Sequence, residues 1–268
     1  MKLTSLVLPA LIFVVLGCAH GDTAPAHEPT PCPDPDCRGA DRNLDATLFV
    51  QTAAEYEAIA LQTFSAAEAL ASEGLEDPAW QAVEDVSAGE KPPAVIVDVD
   101  ETVLDNSAYQ ARLILDDATF DRESWKEWVE EAKAEPVPGA LEFARWADRA
   151  GITLFYVTNR RAEEEAATRR NLLALGFPIR EEIDTVLTRG EREGWSGDKS
   201  TRRAHVALDF RVLLLIGDDL GDFVGRDWGG VAGRHEIVMA NRDKWGKTWL
   251  VLPNPTYGSW MRALIEEN

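Results

Sequence analysis

An α/β fold, with a parallel sheet covered by helices on both faces, is predicted by three observations. Four short apolar runs have the composition of buried strands: 94–97, 152–157, 212–216 and 236–239. Helical patterns lie between them, at 141–150, 162–175 and 201–210. Hydrophobic residues make up 45% of the 268 residues, which is enough for a sizeable core. Strands that alternate with helices in this way favour a parallel sheet.

The folded part is predicted to begin with one long helix over residues 44–71. Apolar residues recur every three or four positions through this stretch, as they do on one face of a helix. Gly74 and Pro78 are expected to end it. Gly151 and Gly176 stand where two of the later helices should end, because glycine is favoured just past a helix C-terminus.

The residues before this helix are predicted to be an export signal and a tether. Lys2 precedes an apolar run at 6–16, which is shorter than the roughly 20 residues that a membrane span needs. The sequence around Cys18 resembles the lipobox of bacterial lipoproteins, which implies loss of a signal peptide at 1–17 and lipidation of Cys18. An ordinary signal peptide cut nearby is the alternative. Residues 18–43 are rich in proline, and we expect an extended tether.

Charge and cysteine content limit the partners of the chain. It has 27 basic and 47 acidic residues, a formal net charge of −20. Because this charge repels phosphate backbones, we expect no nucleic-acid polymer as a partner. Adsorption to anionic lipid heads is also disfavoured, which leaves a lipid anchor as the expected link to a membrane. Cys32 and Cys37 could pair in an oxidising compartment or stay free, and their spacing does not decide between the two.

Polar residues follow three of the predicted strands, at the edge where parallel sheets bind ligands. Asp98 and Asp100 come directly after the first strand, and Thr158 comes after the second. Asp218 and Asp222 come after the third. Since the carboxyl ends of parallel strands meet at one edge, we expect these side chains to lie together.

This set of side chains suits phosphoryl transfer. Converging carboxylates repel each other unless a cation neutralises them, and oxygen ligands favour Mg²⁺. One aspartate could attack phosphorus while its neighbour transfers a proton. Thr158 offers a hydroxyl group, and Lys199, at a predicted helix start, offers a positive charge for phosphate oxygens. Each residue alone has a plainer explanation, such as a solvated turn, a helix cap or a surface lysine.

Several stretches resemble the motifs of class C bacterial acid phosphatases of the haloacid dehalogenase (HAD) superfamily. They are 98–107, 156–161, 198–200, 217–223, 243–248 and 252–260. The resemblance implies a HAD-like, Rossmann-type fold of three layers with a central parallel sheet, a small helical cap and an N-terminal helical segment. It implies that this domain spans 44–268, with the cap between Asp98 and Thr158. Relatives in this family are outer-membrane lipoproteins, and some act as 5′-nucleotidases.

The same resemblance implies a role for each polar residue. Asp98 is implied as the nucleophile and Asp100 as the general acid and base. Thr158 and Lys199 are implied as phosphate-binding residues. An Mg²⁺ site is implied at four aspartates: Asp98, Asp100 through its backbone carbonyl, Asp218 and Asp222.

Aromatic residues are candidates for substrate binding. Trp125 and Trp128 lie in the cap segment, and Tyr257 lies in the motif near the C-terminus. The resemblance implies that Trp125 and Tyr257 could stack on a nucleobase, and stacking tolerates base identity. Packing in the core is the alternative for these rings.

The resulting prediction is an Mg²⁺-dependent hydrolase of small phosphomonoesters that works through an aspartyl-phosphate. Nucleoside 5′-monophosphates are the expected substrates, and a lipid anchor is expected to hold the protein at the periplasmic or outer surface of a membrane. One alternative is a phosphotransferase, which would pass the same intermediate to an alcohol. Another is a lipoprotein that binds a ligand without catalysis. The sequence leaves the oligomeric state open.

Overall fold

The structure is a computed structural model that describes residues 43–83, 91–180, 182–226 and 228–266. The predicted signal peptide at 1–17, the lipidation of Cys18 and nearly all of the predicted tether lie outside these residues. No helix within the described ranges is both long enough and apolar enough to cross a membrane.

A sheet of five parallel strands forms the centre of the molecule. The strands of the described residues are β1 (Pro93–Val97), β2 (Leu104–Asp105), β3 (Glu135–Pro136), β4 (Thr153–Arg161), β5 (Val186–Arg189), β6 (Arg211–Gly217) and β7 (Trp249–Val251). The sheet has the spatial order β5-β4-β1-β6-β7, and β2 and β3 form a separate antiparallel ribbon. Val97 of β1 is level with Tyr156 of β4 and Ile216 of β6. The residues that follow these three positions therefore leave the sheet at the same edge.

Helices cover both faces of this sheet. They are α1 (Leu44–Thr52), α2 (Ala54–Glu76), α3 (Ser107–Leu115), α4 (Arg122–Glu131), α5 (Ala140–Arg149), α6 (Glu165–Leu175), α7 (Ser200–Asp209), α8 (Gly230–Ala240) and α9 (Ser259–Glu266). α2 and α5 pack on one face of the sheet in a core that includes Val95 and Val97, and α7 packs on the other with Ile96 and Phe155. This three-layer α/β arrangement confirms the predicted fold class.

Three of the four predicted strands are confirmed. The runs at 94–97, 152–157 and 212–216 correspond to β1, β4 and β6. Every residue of β6 is buried, as expected for a central strand of a sheet with both faces covered. Gly151 and Gly176 have φ angles of +78° and +86°, and they follow α5 and α6 as predicted.

The predicted long helix at 44–71 is in fact two helices. Ala53, with φ −79° and ψ 121°, separates α1 from α2, and α2 then continues past Gly74 to Glu76. The interruption lets α1 pack against α3 of the cap while α2 packs against α5 and the sheet. Two packing partners in different directions therefore override a helical pattern that is continuous in sequence.

The predicted strand at 236–239 is wrong, because these residues lie in α8. The outer strand beside β6 is β7, which was not predicted and has only three residues. β5 was also not predicted, and it has four residues. A short apolar run is compatible with either a strand or a helix, so periodicity alone cannot separate them.

A small helical cap lies between β1 and β4, as the family resemblance implied. It consists of α3, α4 and the β2-β3 ribbon. Asp121 begins α4, and its side chain accepts hydrogen bonds from the backbone N–H groups of Glu123 and Ser124. This cap brings Trp125 and Trp128 of α4 over the carboxyl edge of the sheet, as their contacts below show.

Candidate active site

Three carboxylates from two loops converge at the carboxyl edge of the sheet. Asp98 follows β1, Asp218 follows β6, and Asp222 lies in a short 3₁₀ turn after it. One carboxylate oxygen from each lies within 4.8 Å of the others. Asp98 and Asp222 are buried, and Asp218 is half-buried. Asp98, Asp218 and Asp222 therefore lie close together, as expected from their positions after the strands.

Lys199 joins this acidic cluster from α7. It is the residue that caps the N-terminus of α7, and it is buried. Its Nζ lies 2.5 Å from Oδ1 of Asp98 and 2.6 Å from Oδ1 of Asp222. Burial alone would lower the pKa of Lys199, but the charges of Asp222 and Asp98 outweigh it and raise the pKa above its ordinary value. The ammonium group therefore stays charged within the cluster.

The Asp222 side chain is fixed by contacts on both oxygens. Oδ1 accepts from Lys199, while Oδ2 accepts from the backbone N–H groups of Asp218 at 3.1 Å and Asp219 at 2.9 Å. Gly217 makes this geometry possible, because a Cβ added there would lie 2.5 Å from Cβ and Cγ of Asp222. Glycine is thus the residue that allows the backbone of β6 to pass this close to a carboxylate.

The electrostatics of the cluster favour a bound cation. Burial raises the pKa of Asp98 to about 7 against the lowering effect of Lys199, with Asp222 and Asp100 raising it further. Burial and the charges of Asp222 and Asp98 also raise the pKa of Asp218 well above its ordinary value. Buried carboxylates that lie this close together lose their protons most easily when a divalent cation lies between them. The three carboxylates offer oxygen ligands, which fit a hard metal ion such as Mg²⁺ or Ca²⁺.

Asp100 lies beside the cluster and contacts different partners. Arg160 donates from Nη2 to Oδ1 of Asp100 at 2.8 Å and from Nε to the same oxygen at 3.0 Å. Asn106 donates from Nδ2 to Oδ1 at 3.0 Å. The Asp100 side chain is directed to the cap side of the site, so its carboxylate is distinct from the three that converge.

Thr158 is fully buried near the end of β4, at the same edge. Its Oγ1 accepts from the backbone N–H of Arg160 at 3.0 Å, so its hydroxyl proton can still be donated to another group. Its carbonyl accepts from Arg202 of α7, and Arg202 also donates to Oδ1 of Asn159 at 2.8 Å. These contacts tie the end of β4 to the helix that carries Lys199.

The predicted aromatic residues occupy two sides of the site. Trp125 is buried against Tyr109, with ring centroids 5.2 Å apart, and the guanidinium carbon of Arg160 lies 5.6 Å from its ring centre. Trp128 is also buried, so both cap tryptophans contribute to the core. Trp125 nevertheless contacts Arg160, whose partner is Asp100.

Tyr257 lies in a segment that is tied to the loop after β6. Asn254 donates to Oδ2 of Asp218 at 2.7 Å and accepts from the backbone N–H of Tyr257 at 3.3 Å. Ser259 donates to Asp219 from its backbone N–H at 2.7 Å and from its hydroxyl. Tyr257 is half-buried between these two anchor points. The C-terminal motif therefore folds directly onto the acidic cluster.

Several residues of the site were not predicted from the sequence. Arg160 and Asn106 contact Asp100, and Asn254 contacts Asp218. All three lie inside the motifs that carry the family resemblance, but the sequence did not assign a role to any of them. Arg160 lies two residues after Thr158 and Asn106 lies directly before a helix, and such positions do not indicate which carboxylate a side chain will contact.

Comparisons with known proteins identify the family of the chain. Residues 44–260 match the family described as HAD superfamily, subfamily IIIB (Acid phosphatase). The chain belongs to this acid phosphatase family. The class C acid phosphatase from Bacillus anthracis is 31% identical in sequence and similar in structure with a TM-score of 0.75, over 86% of this chain and 91% of that one. The structure of the Bacillus anthracis enzyme with tungstate bound is similar with a TM-score of 0.74 and 30% identity, over 85% of this chain and 90% of that one.

A plant acid phosphatase is similar over a shorter stretch of the chain. Acid phosphatase 1 of Solanum lycopersicum is 28% identical over 155 residues, which are 56% of this chain. The match covers 60% of the tomato protein, so the chain spans somewhat less than two thirds of that relative. HAD phosphatases generally use a divalent metal, and the cluster of Asp98, Asp218 and Asp222 fits that requirement.

Proposed function

We propose that the protein hydrolyses small phosphomonoesters through an aspartyl-phosphate on Asp98, with Mg²⁺ as cofactor. The observation that carries this proposal is the position of the Asp98 carboxylate. It is buried, its Oδ1 is 2.5 Å from the ammonium group of Lys199, and it lies in the same 4.8 Å cluster as Asp218 and Asp222. A carboxylate held by one oxygen has the other available for attack on phosphorus.

In the first half-reaction, the free oxygen of Asp98 attacks phosphorus and forms a new P–O bond. The bond from phosphorus to the leaving oxygen breaks, and Asp100 donates a proton to that oxygen. The hydroxyl of Thr158 and the ammonium of Lys199 offset the negative charge on the phosphoryl oxygens. The products are the free alcohol and the aspartyl-phosphate.

In the second half-reaction, water attacks the phosphorus of the aspartyl-phosphate. Asp100, now ionised, takes a proton from that water. The bond between phosphorus and Asp98 breaks, which releases inorganic phosphate and restores the Asp98 carboxylate. Asp100 returns to its protonated form, so one cycle consumes one water and leaves both residues unchanged.

Mg²⁺ would be held by the carboxylates of Asp98 and Asp218 and by the backbone carbonyl of Asp100, with Asp222 in support. When bound, it offsets the negative charges of the carboxylates and of the phosphate. Tungstate is a tetrahedral oxyanion similar in form to phosphate. Its presence in the Bacillus anthracis relative supports an oxyanion site in this family, and hence in this chain.

Nucleoside 5′-monophosphates are the substrates that we propose. Tyr257 is half-buried in the C-terminal motif, which Asn254 ties to Asp218, and it supplies the ring that we propose for the nucleobase, whereas Trp125 is buried in the cap against Tyr109 and Arg160. A nucleobase can stack on such a ring with little dependence on its identity. We also propose that the chain is exported and held by a lipid on Cys18 at the periplasmic or outer surface of a membrane, since its N-terminus resembles a lipobox.

The test compares the purified protein with the variant Asp98→Asn on p-nitrophenyl phosphate and adenosine 5′-monophosphate. We expect Asp98→Asn to lower kcat by at least about 10³-fold without a loss of thermal stability. Acid quench of the wild-type reaction, followed by mass spectrometry, should place the phosphoryl group on the peptide that contains Asp98. Chelation should abolish turnover and added Mg²⁺ should restore it.

Asp209→Asn is the matched control, because Asp209 is an exposed carboxylate at the end of α7, just before β6 begins. It should leave kcat unchanged. Substantial turnover by Asp98→Asn would contradict the assignment of Asp98 as nucleophile. An added alcohol that receives the phosphoryl group in preference to water would indicate a phosphotransferase.

A further inference from the structure

We infer that Arg160 is a positioning residue that orients the Asp100 carboxylate for proton transfer and ties it to the helical cap. This inference rests on the proposed function, because it assumes that Asp100 is the general acid and base. Arg160 lies in β4, 60 residues from Asp100 in the chain, and does not belong to the acidic cluster.

Arg160 contacts the Asp100 carboxylate with a forked set of donors. Nε and Nη2 donate to Oδ1 at 3.0 and 2.8 Å, and Nε also lies 3.3 Å from Oδ2. A planar guanidinium that engages a carboxylate through two nitrogens fixes its orientation as well as its place. A point charge such as the ammonium of lysine would attract the carboxylate without fixing its plane.

The guanidinium of Arg160 is itself immobilised. Its side chain is only 1% exposed, against 17% for the side chain of Asp100. Nη1 donates to Oγ1 of Thr168 on α6 at 3.2 Å, and the ring of Trp125 lies beside the guanidinium. Arg160 is therefore held rigidly in the interior and supports Asp100, whose carboxylate is the more exposed of the two side chains.

Asn106 completes the support and links it to the cap. Its Nδ2 donates to Oδ1 of Asp100 at 3.0 Å, and its Oδ1 accepts from Nε1 of Trp128 at 2.8 Å. Since an indole N–H can only donate, Trp128 determines which end of the Asn106 amide faces Asp100. Trp125 therefore contacts Arg160 and Trp128 contacts Asn106, so each tryptophan of α4 touches one of the two side chains that orient Asp100.

The donors are distributed unevenly over the two oxygens of Asp100. Among the described residues, Oδ1 receives Nε and Nη2 of Arg160 and Nδ2 of Asn106, whereas Oδ2 receives only the longer contact from Nε. Oδ1 is therefore saturated with donors and has no lone pair left for a proton. The geometry identifies Oδ2 as the atom that gives the proton to the leaving oxygen and takes one from water.

This role predicts a dependence on the leaving group. A nitrophenolate departs without a proton, whereas an alkoxide such as the ribose 5′-oxygen needs one as it departs. General acid catalysis is worth about 10²–10⁴-fold where it is needed. Loss of the orientation of Asp100 should therefore slow alkyl esters far more than nitrophenyl esters.

The experiment measures kcat and KM of wild type, Arg160→Met and Arg160→Lys on p-nitrophenyl, phenyl and ethyl phosphate and on adenosine 5′-monophosphate. For Arg160→Met we expect kcat/KM, which reports the steps up to the aspartyl-phosphate, to fall less than about 10-fold on the nitrophenyl ester and about 10²-fold or more on the alkyl esters. A slower attack of water on the aspartyl-phosphate would lower kcat and KM together on all four substrates and leave this dependence on the leaving group unchanged. Arg160→Lys should recover part of the loss but keep the steeper dependence on leaving group.

Arg112→Met is the matched control. Arg112 also forks onto a carboxylate, with contacts to Glu131 at 2.7 and 3.1 Å, and lies 5.3 Å from the ring centre of Trp128. Its carboxylate partner is outside the site, so all four substrates should be hydrolysed at the wild-type rate. If Arg160→Met does not fold, Trp128→Phe serves instead, because it keeps the ring but removes the donor to Asn106.

An equal loss of kcat/KM on all four substrates would overturn the inference and leave Arg160 with a structural role. An equal rise of KM would instead indicate that Arg160 binds the phosphate, and would also overturn it. Failure of the proposed function would show separately, as a wild-type protein that forms no aspartyl-phosphate at Asp98.

Discussion

Gly217 is the position in the site where a single methyl group should have the largest effect. A Cβ at this residue would lie 2.5 Å from Cβ and Cγ of Asp222, whose oxygens are held by Lys199 and by two backbone N–H groups. Asp222 cannot turn away without leaving Lys199. We expect Gly217→Ala to lower the free energy of unfolding by about 1–3 kcal/mol and to reduce kcat. Denaturant titration and steady-state kinetics check the two effects.

Gly225→Ala is the control for this substitution. Gly225 also lies in the segment after β6, but the nearest described atom to an added Cβ there is Oδ2 of Asp198, at an ordinary distance of 3.4 Å. We expect little change in stability or in kcat. Wild-type turnover by Gly217→Ala would show that Asp222 can move without loss, and would remove the reason for glycine at this place.

At this scale the sequence identifies some residues of the site and not others. Asp98, Asp218 and Asp222 could be predicted because each follows an apolar strand, and strand ends converge in a parallel sheet. Arg160 could not, because its role depends on a contact with a residue 60 positions away. An arginine after a strand has no preferred partner until the fold brings one to it.

At the scale of elements, Arg211 joins the end of α2 to the start of β6. Its Nη1 donates to the carbonyls of Gly74 at 2.8 Å and Asp77 at 2.7 Å, and the side chain is buried. These carbonyls at the end of a helix have no partner within the helix itself. We expect Arg211→Met to lower the free energy of unfolding by about 1–3 kcal/mol, because the buried carbonyl of Gly74 would lose its donor. Chemical denaturation measures this loss.

The same variant should keep the wild-type kcat, because Arg211 lies at the end of β6 opposite to the acidic cluster. Arg145→Met is the comparison at an exposed helix end. Arg145 donates to the carbonyls of Leu175 and Gly176 at the end of α6, in contact with solvent. Water can replace this donor, so we expect a change within about 0.5 kcal/mol. Equal losses of unfolding free energy in Arg211→Met and Arg145→Met would contradict the claim that a donor to a buried carbonyl stabilises the fold more than a donor to an exposed one.

The elements show where sequence reasoning fails for physical reasons. The apolar run at 236–239 was predicted to be a strand, yet it lies in α8, while the edge of the sheet is formed by the three residues of β7. A three-residue strand has no periodicity of its own and exists because β6 supplies its hydrogen bonds. The long central strands needed no such context, since their composition already indicates burial on both faces.

For the whole molecule, the order of motifs along the chain follows from the topology of the sheet. β1 lies at the centre with β4 and β6 on either side, so the loops after these three strands meet at one edge. This arrangement concentrates negative charge at the carboxyl edge of a chain whose formal net charge is already −20. The stability of the folded state should therefore depend on protons or a cation at that edge.

The direction of this dependence follows from the pKa of Asp98, which burial raises from 3.8 to about 7. The folded protein binds this proton more tightly than the unfolded chain does. The resulting stability is complete below pH 3.8 and is lost as the pH rises through about 7. Asp218 acts with the same sign. Glu131 acts in the opposite direction, but its pKa of about 2, held low by the hydrogen bonds from Arg112, places that effect below pH 4.5.

Without divalent metal, we therefore expect the protein to melt at a lower temperature at pH 8 than at pH 5. The decrease should be several degrees, since a domain of this size shifts by roughly 2–4 °C per kcal/mol. Saturating Mg²⁺ should reduce the difference, because the cation takes the place of the protons between the carboxylates. Asp98→Asn should also reduce it in the presence of chelator, since it removes one of the titrating groups. Thermal scans in buffers matched for ionic strength make the measurement, and a melting temperature in chelator that is equal or higher at pH 8 would contradict the electrostatic account of the acidic cluster.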